Sequence, residues 1–381
     1  MTNWEVGLKM KLKILAILLI LALMIGCGGQ KINSEVVKAD PIKIGWVGPL
    51  SGDVAAYGEP MRDATMLAVN EINSAGGING RALEIIYEDG HCNPKDATTA
   101  VQKLINVDKV KTMMVFCSPE VMGAAPIVEA NKVVLFSSFA GSPEITKAGD
   151  YVFRNFPSDA STGKKMAELA DVEKFGKVAL LVEVNDYSMA LKDVFKSKYN
   201  GEIVAEEMFN AEDSDFKTQL TKIKESGADA VYMLPLTPGK PALILQQFKE
   251  LGIYMPILGN EVIVTPDMLE QNAELVEGVM FAEPAFDESN PLYVDFKAKY
   301  NTLYGEMTGL PPFYHSATYD AVYVLAEAMK LHGEDSEAIK NYLYTIKDRQ
   351  GASGVLSMDV NGDPLFEYNV KVVKNGEIEV Y

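Results

Sequence analysis

The chain has 381 residues, 48% of them hydrophobic and 23% charged, and a formal net charge of −18 at pH 7. Such a length and composition support two ordinary lobes, each with its own core, and exclude a long disordered or fibrous chain. An acidic surface repels nucleic acid and anionic membrane, so neither is expected as a partner.

At the N-terminus, Lys11 and Lys13 precede an unbroken apolar run over 14–25, followed by Gly26 and Cys27. The run is too short to span a bilayer and fits the core of a signal peptide. A Cys directly after a small residue resembles the bacterial lipoprotein processing site. The expectation is a leader over 1–26, lipidation at Cys27 and a polar tether over 27–40. This places the folded part outside the cytoplasm, on the periplasmic face or the cell surface, held to the membrane by the lipid alone. Met1 and Met10 both remain open as the start.

Residues 43–89 read as one strand–loop–helix–strand unit. Residues 42–47 form a short apolar run between Pro41 and Gly48-Pro49, which suits a buried strand. From Met61 onward, Met61, Ala64, Leu67, Ala68, Ile72 and Ala75 give the stripe of a helix lying on a sheet. Gly76 and Gly77 supply the positive φ that ends it. The loop over 51–59 sits at the carboxyl end of the first strand, where open parallel sheets bind ligands. Its one large side chain is Tyr57, either a wall of such a site or a plug that holds the loop to the domain.

Cys92 and Cys117 are an even pair in an exported chain once Cys27 is lipidated, which favours a disulfide over two buried free thiols. Each follows a predicted strand, 82–87 and 112–116, and sequential strands are usually neighbours. Asn93-Pro94 starts a helix to about 107, and Ser118-Pro119-Glu120 starts another, with Ser118 as N-cap. Strand 133–137 leads to the loop 138–143 and a further start at Ser142-Pro143-Glu144. Beyond 155–157 come helix 159–174, strand 177–182, helix 187–199, strand 203–209, helix 215–226, strand 230–234, helix 240–251 and strands 256–259 and 279–283. Helices 291–304, 317–330 and 336–347 follow. The tail over 354–381 carries Asn361-Gly362 and Asn375-Gly376 and reads as an antiparallel meander. The alternation predicts an α/β fold of two doubly wound parallel-sheet lobes, with Pro-marked breaks at 155–157 and 283–291.

No catalytic signature is present. His91, His315 and His332 lack the spacing of a zinc site, and there is no G-x-S-x-G, P-loop or G-x-G-x-x-G. Neither an enzyme, a metal nor a cofactor is expected. What the chain carries instead is polar groups on strand-to-helix loops. The Ser118 hydroxyl at a helix N-terminus can hold a carboxylate or simply cap. The stretch Phe139, Ala140, Gly141 and Ser142 can offer backbone donors or be a plain turn. Glu261, beside the apolar Val262, Ile263 and Val264, is a solvated loop charge or, if it points inward, a partner for an ammonium group.

The segments IGWVGPLSGDVAAYGEPMRDA, AVNEINSAGGINGRALEIIYEDG, CNPKDA, GSPEIT, the helix start over 313–323 and GVLSMDVNGDP together resemble the type I periplasmic binding proteins of ABC importers, in the leucine/isoleucine/valine-binding branch. The resemblance runs from 42 to about 368. It implies two α/β lobes joined by crossovers near 155–158, 282–286 and 351–356. The N-terminal lobe would comprise 41–157 and 285–353, and the C-terminal lobe 158–284 and 354–381. The resemblance also implies the Cys92–Cys117 bridge. Tyr57 matches a loop aromatic near the ligand, Ser118 the serine on an α-carboxylate, Tyr187 a tyrosine closing from the second lobe, and Glu261 the acid on an α-ammonium. Two positions depart: Gly141 stands where a Thr usually bonds the carboxylate, with Ser142 beside it, and Leu236 replaces a tyrosine. The implied function is a monomeric solute receptor that delivers an amino acid, apolar or branched-chain, to an ABC permease. The alternatives are a binder of an amide, urea or aromatic acid, or a ligand sensor on the same fold.

Overall fold

The computed structural model describes residues 40–52 and 54–381. The expected leader, the expected lipidation at Cys27 and all but the last residue of the expected tether lie outside the described residues. The first sheet is parallel and contains β1 (Ile42–Gly48), β2 (Leu83–Asp89), β3 (Thr112–Val115), β4 (Val134–Ser137) and β5 (Val152–Arg154), in the order β2-β1-β3-β4-β5. In the second sheet, β6 (Lys177–Glu183), β7 (Glu202–Phe209), β8 (Ala230–Leu234), β9 (Ile257–Gly259) and β10 (Met280–Pro284) run parallel. A hairpin of β11 (Arg349–Gly351) and β12 (Gly354–Leu356) stands apart. β13 (Tyr368–Lys374) and β14 (Glu377–Val380) then extend the second sheet antiparallel, in the order β14-β13-β10-β9-β8-β6-β7. The helices are α1 (Ala55–Ser74), α2 (Pro94–Asn106), α3 (Ser118–Asn131), α4 (Ala160–Val172), α5 (Asp186–Lys198), α6 (Lys217–Glu225), α7 (Lys240–Glu250), α8 (Pro266–Val276), α9 (Pro291–Tyr304), α10 (Pro312–His332) and α11 (Ser336–Leu343). This is the expected fold class.

The central strands of each sheet are buried on both faces, successive residues pointing to opposite sides. In β3 and just beyond it, Met114 and Phe116 pack with Ile44, Trp46 and α10, whereas Met113 and Val115 face α2 and α3. In β6, Val178, Leu180 and Val182 pack on α4 and α5, while Ala179 and Leu181 meet α6 and α7. The segments that follow the carboxyl ends of β3, β4, β6, β8 and β9, helix starts included, carry Ser118, Phe139, Tyr187, Leu236 and Glu261. One sheet edge of each lobe thus supplies the polar groups that converge.

Several elements differ from expectation. Tyr57 lies in the first turn of α1, which opens at Ala55 and runs through Pro60 instead of starting near Met61. Gly58 permits this: a β-carbon there would fall 1.7 Å from the Pro49 carbonyl oxygen. At α3, Cys117 is the N-cap and Ser118 the first helical residue, because the Glu120 carboxylate accepts the Cys117 N–H at 3.0 Å. α8 has no counterpart in the predicted elements, although Thr265 caps it by accepting the Met268 N–H at 3.3 Å and Pro266 opens it. α10 begins at Pro312, so Tyr314 belongs to its first turn.

The third crossover also falls later than 351–356. Ala352 and Ser353 donate their N–H groups to the buried Asp320 carboxylate at 2.9 and 2.7 Å. Leu356 and Met358 join the first-lobe core, and Asp363 pairs with Arg154 of β5 at 2.7 Å. Residues 354–364 therefore stay with the first lobe, and the chain passes to the second at 365–367. There Ala285, on the second crossover, donates to Glu367 O at 2.7 Å. Of the two Asn-Gly turns, Asn375-Gly376 joins the ladder of β13 and β14, whereas Asn361-Gly362 lies within a single bridge from Met358 to Pro364. The tail meander is thus limited to one hairpin.

Cys92 and Cys117 are bonded, with Cα atoms 5.3 Å apart. Beneath the bond, the two oxygens of Glu120 accept the N–H groups of Cys92 and Cys117, each at 3.0 Å. Burial pushes the Glu120 carboxyl up to about 7 against the pull of these bonds. A folded-state pKa above the unfolded one means that the folded chain holds the extra proton, so this contribution is lost as pH rises from about 4.5 to about 7. Denaturation midpoints measured across that window should fall with rising pH, and Glu120→Gln should flatten the slope. An identical slope in the variant would show that Glu120 is not the group that titrates.

Candidate functional site

Between the lobes lies a narrow cavity of about 20 Å³, enough for the centre of a water molecule. The first lobe contributes Cys92, Cys117, Ser118, Phe139 and Tyr314, and the second Tyr187, Leu236, Glu261 and Val262, with Phe156 from the first crossover. Beside it, sharing Cys92 and Leu236, is a wider cleft of about 430 Å³ lined by His91, Asn93, Glu183 and Asp186. A larger groove of about 730 Å³ runs along α7 and α8 and holds none of these groups. The cavity matters despite its size because it gathers the buried polar side chains of both lobes.

Glu261 opens a 3₁₀ turn after β9 and is 3% exposed. Its Oε1 accepts hydrogen bonds from Tyr187 of the second lobe at 3.3 Å and from Tyr314 of the first. Asn260 Nδ2 donates to Tyr187 Oη at 3.3 Å, which fixes the phenol. Burial raises the Glu261 pKa above the ordinary carboxylate range, and the Tyr314 hydrogen bond pulls against the rise. Burial and the nearby Glu261 charge likewise hold both phenols neutral, far above their usual range.

Ser118 faces the cavity, and its Oγ accepts the Ser142 N–H at 3.1 Å, leaving the hydroxyl proton free to donate. The expected row of free backbone donors over Phe139, Ala140, Gly141 and Ser142 is largely engaged within the lobe. Phe139 and Ala140 donate to Ser137 Oγ at 3.5 and 3.1 Å. Phe139 instead presents its ring to the cavity, with the Tyr314 ring edge-on at 5.2 Å. Ser142 caps the next turn by accepting the Glu144 N–H at 3.4 Å. Tyr57 stands one layer back, its ring 5.9 Å from Phe139 and its hydroxyl donating to Leu236 O at 3.3 Å. It touches the site through Phe139 and links the lobes.

The structure brings Ser118, Tyr187 and Glu261 to one cavity together with Tyr314 and Phe156, which the sequence did not single out. For Tyr314 the Pro311-Pro312 pair was the available signal, since Pro at N1 would have put the tyrosine in a first turn. Arg154 was also missed. It is fully buried and donates to Asp363, to the carbonyls of Ala140 and Ser142 at 3.2 and 2.9 Å, and to Thr146 Oγ1 at 3.0 Å. It thereby holds the loop that carries Gly141. Among the described residues no cluster of metal ligands occurs.

The cavity gathers one buried, hydrogen-bonded acid, a phenol from each lobe and aromatic walls. The periplasmic binding protein family profile matches residues 41–365. The leucine-, isoleucine-, valine-, threonine- and alanine-binding protein of Pseudomonas aeruginosa is 30% identical over 359 residues, 91% of each chain. The branched-chain amino acid transporter substrate-binding protein LivJ of Streptococcus pneumoniae, solved with isoleucine, superposes with a TM-score of 0.79 at 28% identity over 89% of this chain and 98% of that one. The leucine-binding protein LivK of Thermotoga maritima gives 0.80 at 28% identity over 89% and 97%. The chain belongs to the periplasmic binding protein family, with the two parallel-sheet lobes of its type I members.

Proposed function

We propose that the protein is an extracytoplasmic receptor that closes its two lobes on an amino acid with an apolar side chain and presents it to an ABC permease. It acts as a monomer tethered through lipidated Cys27. The observation that carries this reading is Glu261, a buried carboxylate held by a tyrosine from each lobe against a mostly apolar cavity. A buried acid so placed suits the ammonium of a zwitterion, and the names of the similar relatives point the same way. Ser118 meets the carboxylate end, Phe139, Phe156 and Leu236 the side chain, and Tyr314 ties closure to the site. The closed cavity is smaller than an amino acid, so binding requires the lobes to part and close again about the crossovers.

Calorimetric titration with each of the twenty amino acids tests this. At least one apolar member should bind; binding of an aromatic acid with none of the twenty would refute it. Glu261→Gln should weaken that amino acid at least about tenfold, a charge-assisted bond being worth roughly 1.5–3 kcal/mol. Unchanged affinity would remove Glu261 from the site. Mass spectrometry of the mature N-terminus checks the lipid on Cys27 separately.

A further inference from the structure

The cavity that gathers the polar side chains and the wider cleft beside it share two wall residues. Cys92 of the first lobe and Leu236 of the second line both, the cavity holding about 20 Å³ and the cleft about 430 Å³. The partition between the two spaces is therefore this pair. Leu236 is held in place from several sides. Glu183, 2% exposed, accepts the N–H groups of Leu236 and Thr237 at 2.7 and 2.9 Å and the Thr237 hydroxyl at 2.6 Å. The Leu236 carbonyl accepts the Tyr57 hydroxyl of the other lobe at 3.3 Å, and the preceding Pro235 carbonyl accepts Asn260 Nδ2 at 2.9 Å. Cys92 is fixed by its bond to Cys117 and by its N–H bond to Glu120.

We propose that Cys92 and Leu236 form a throat through which the ligand's side chain passes from the cavity into the cleft, so that the receptor takes amino acids with a long, uncharged side chain. This rests on the reading of the protein as an amino-acid receptor. The cavity offers polar contacts to the head of such a ligand and no room for its tail. The room lies past Leu236, where Val54, Pro94, Pro119, Val184 and Ala211 line the cleft from both lobes. Apolar surface withdrawn from water there adds to affinity with each further carbon of the tail. The polar groups of the cleft disfavour a charged end. Among the described residues, no lysine or arginine lines it. His91 is already engaged, through Nε2 with Asp89 at 3.2 Å and through Nδ1 with Asp96 at 3.0 Å. The Glu183 carboxylate is taken by its three donors, and Asp186 is exposed to solvent. An anionic tail would face these acids with no cation to offset them, and a cationic tail would find the buried acid already satisfied.

The test varies only the tail, titrating the purified protein with L-leucine, L-2-aminooctanoate and L-2-aminosuberate. The second has a longer side chain than leucine, and the third replaces the terminal methyl of the second by a carboxylate. 2-Aminooctanoate should bind about tenfold more tightly than leucine, and 2-aminosuberate at least about tenfold more weakly than 2-aminooctanoate. Leu236→Tyr, which narrows the throat, should cost 2-aminooctanoate at least about tenfold relative to leucine, with far-UV circular dichroism unchanged. Should that variant not fold, Ala211→Trp, which fills the cleft away from the cavity, should lower the same ratio. 2-Aminooctanoate bound more tightly than leucine, with the ratio lowered by either variant, supports the throat. Leucine bound with 2-aminooctanoate no tighter, 2-aminosuberate bound as well as 2-aminooctanoate, or a ratio that neither variant moves overturns the proposal and leaves the amino-acid reading standing. No amino acid bound, short or long, overturns both.

Discussion

Replacing Arg154 with Met should destabilise the first lobe by about 3–5 kcal/mol, because it strands a buried Asp363 carboxylate without its partner. The guanidinium is fully buried and meets Asp363 through Nε at 2.7 Å and Nη2 at 2.9 Å. A second variant separates the stranded charge from lost packing. Arg154→Met with Asp363→Leu should recover much of the loss, since an apolar replacement of a whole buried pair is often close to neutral. Denaturant unfolding can be followed through Trp46, the one tryptophan among the described residues, which is wholly buried in that lobe 4.5 Å from Phe116. A single variant within about 1 kcal/mol of the parent would show that the pair is not holding the lobe. The same change frees the carbonyls of Ala140 and Ser142 and the segment around Asp363 that precedes the third crossover. Ligand affinity should therefore drop together with stability.

The double variant Cys92→Ser/Cys117→Ser should cost about 3.5 kcal/mol on the loop-entropy account, for a bond that closes a separation of 25 residues. The bond ties the loop after β2 to the N-cap of α3, directly before Ser118, and both cysteines line the cavity. His91 and Cys92 both hold positive φ, 50° and 54°, which the closed loop maintains. The expected result is a lower unfolding midpoint for Trp46 fluorescence and weaker ligand binding in the folded variant. Full stability after removal of both sulfurs would mean that the Glu120 bonds to the two N–H groups suffice to hold the loop.

Most of the scaffold was legible because it rests on local pattern. Periodicity two in the strands, periodicity near 3.6 in the helices and Pro, Gly and Asn at their ends are short-range signals. They placed β8 at its observed bounds and α5 and α7 within a residue or so. The elements that were missed or shifted are those where packing overrides punctuation. In α1, Gly58 and Pro60 read as loop residues, yet the burial of Tyr57 and Met61 carries the helix through them. The hairpin of β11 and β12 depends on the Asp320 carboxylate, 32 and 33 residues away from the N–H groups it accepts.

The sequence by itself determined the two-lobed α/β architecture, the pairing of Cys92 with Cys117, and the positions of Ser118, Tyr187 and Glu261 at the ends of strands. The architecture and the strand ends follow from pattern along the chain, whereas the cysteine pairing follows from an even pair in an exported chain and from the family resemblance. Only the tertiary structure decided which side chains meet across the lobes. Tyr314 reaches Glu261 over 53 residues, Tyr57 reaches the Leu236 carbonyl over 179, and Asp159 fills the space above Gly141. The physical reason is that a contact of this kind depends on the relative placement of two sheets, and no local periodicity encodes it.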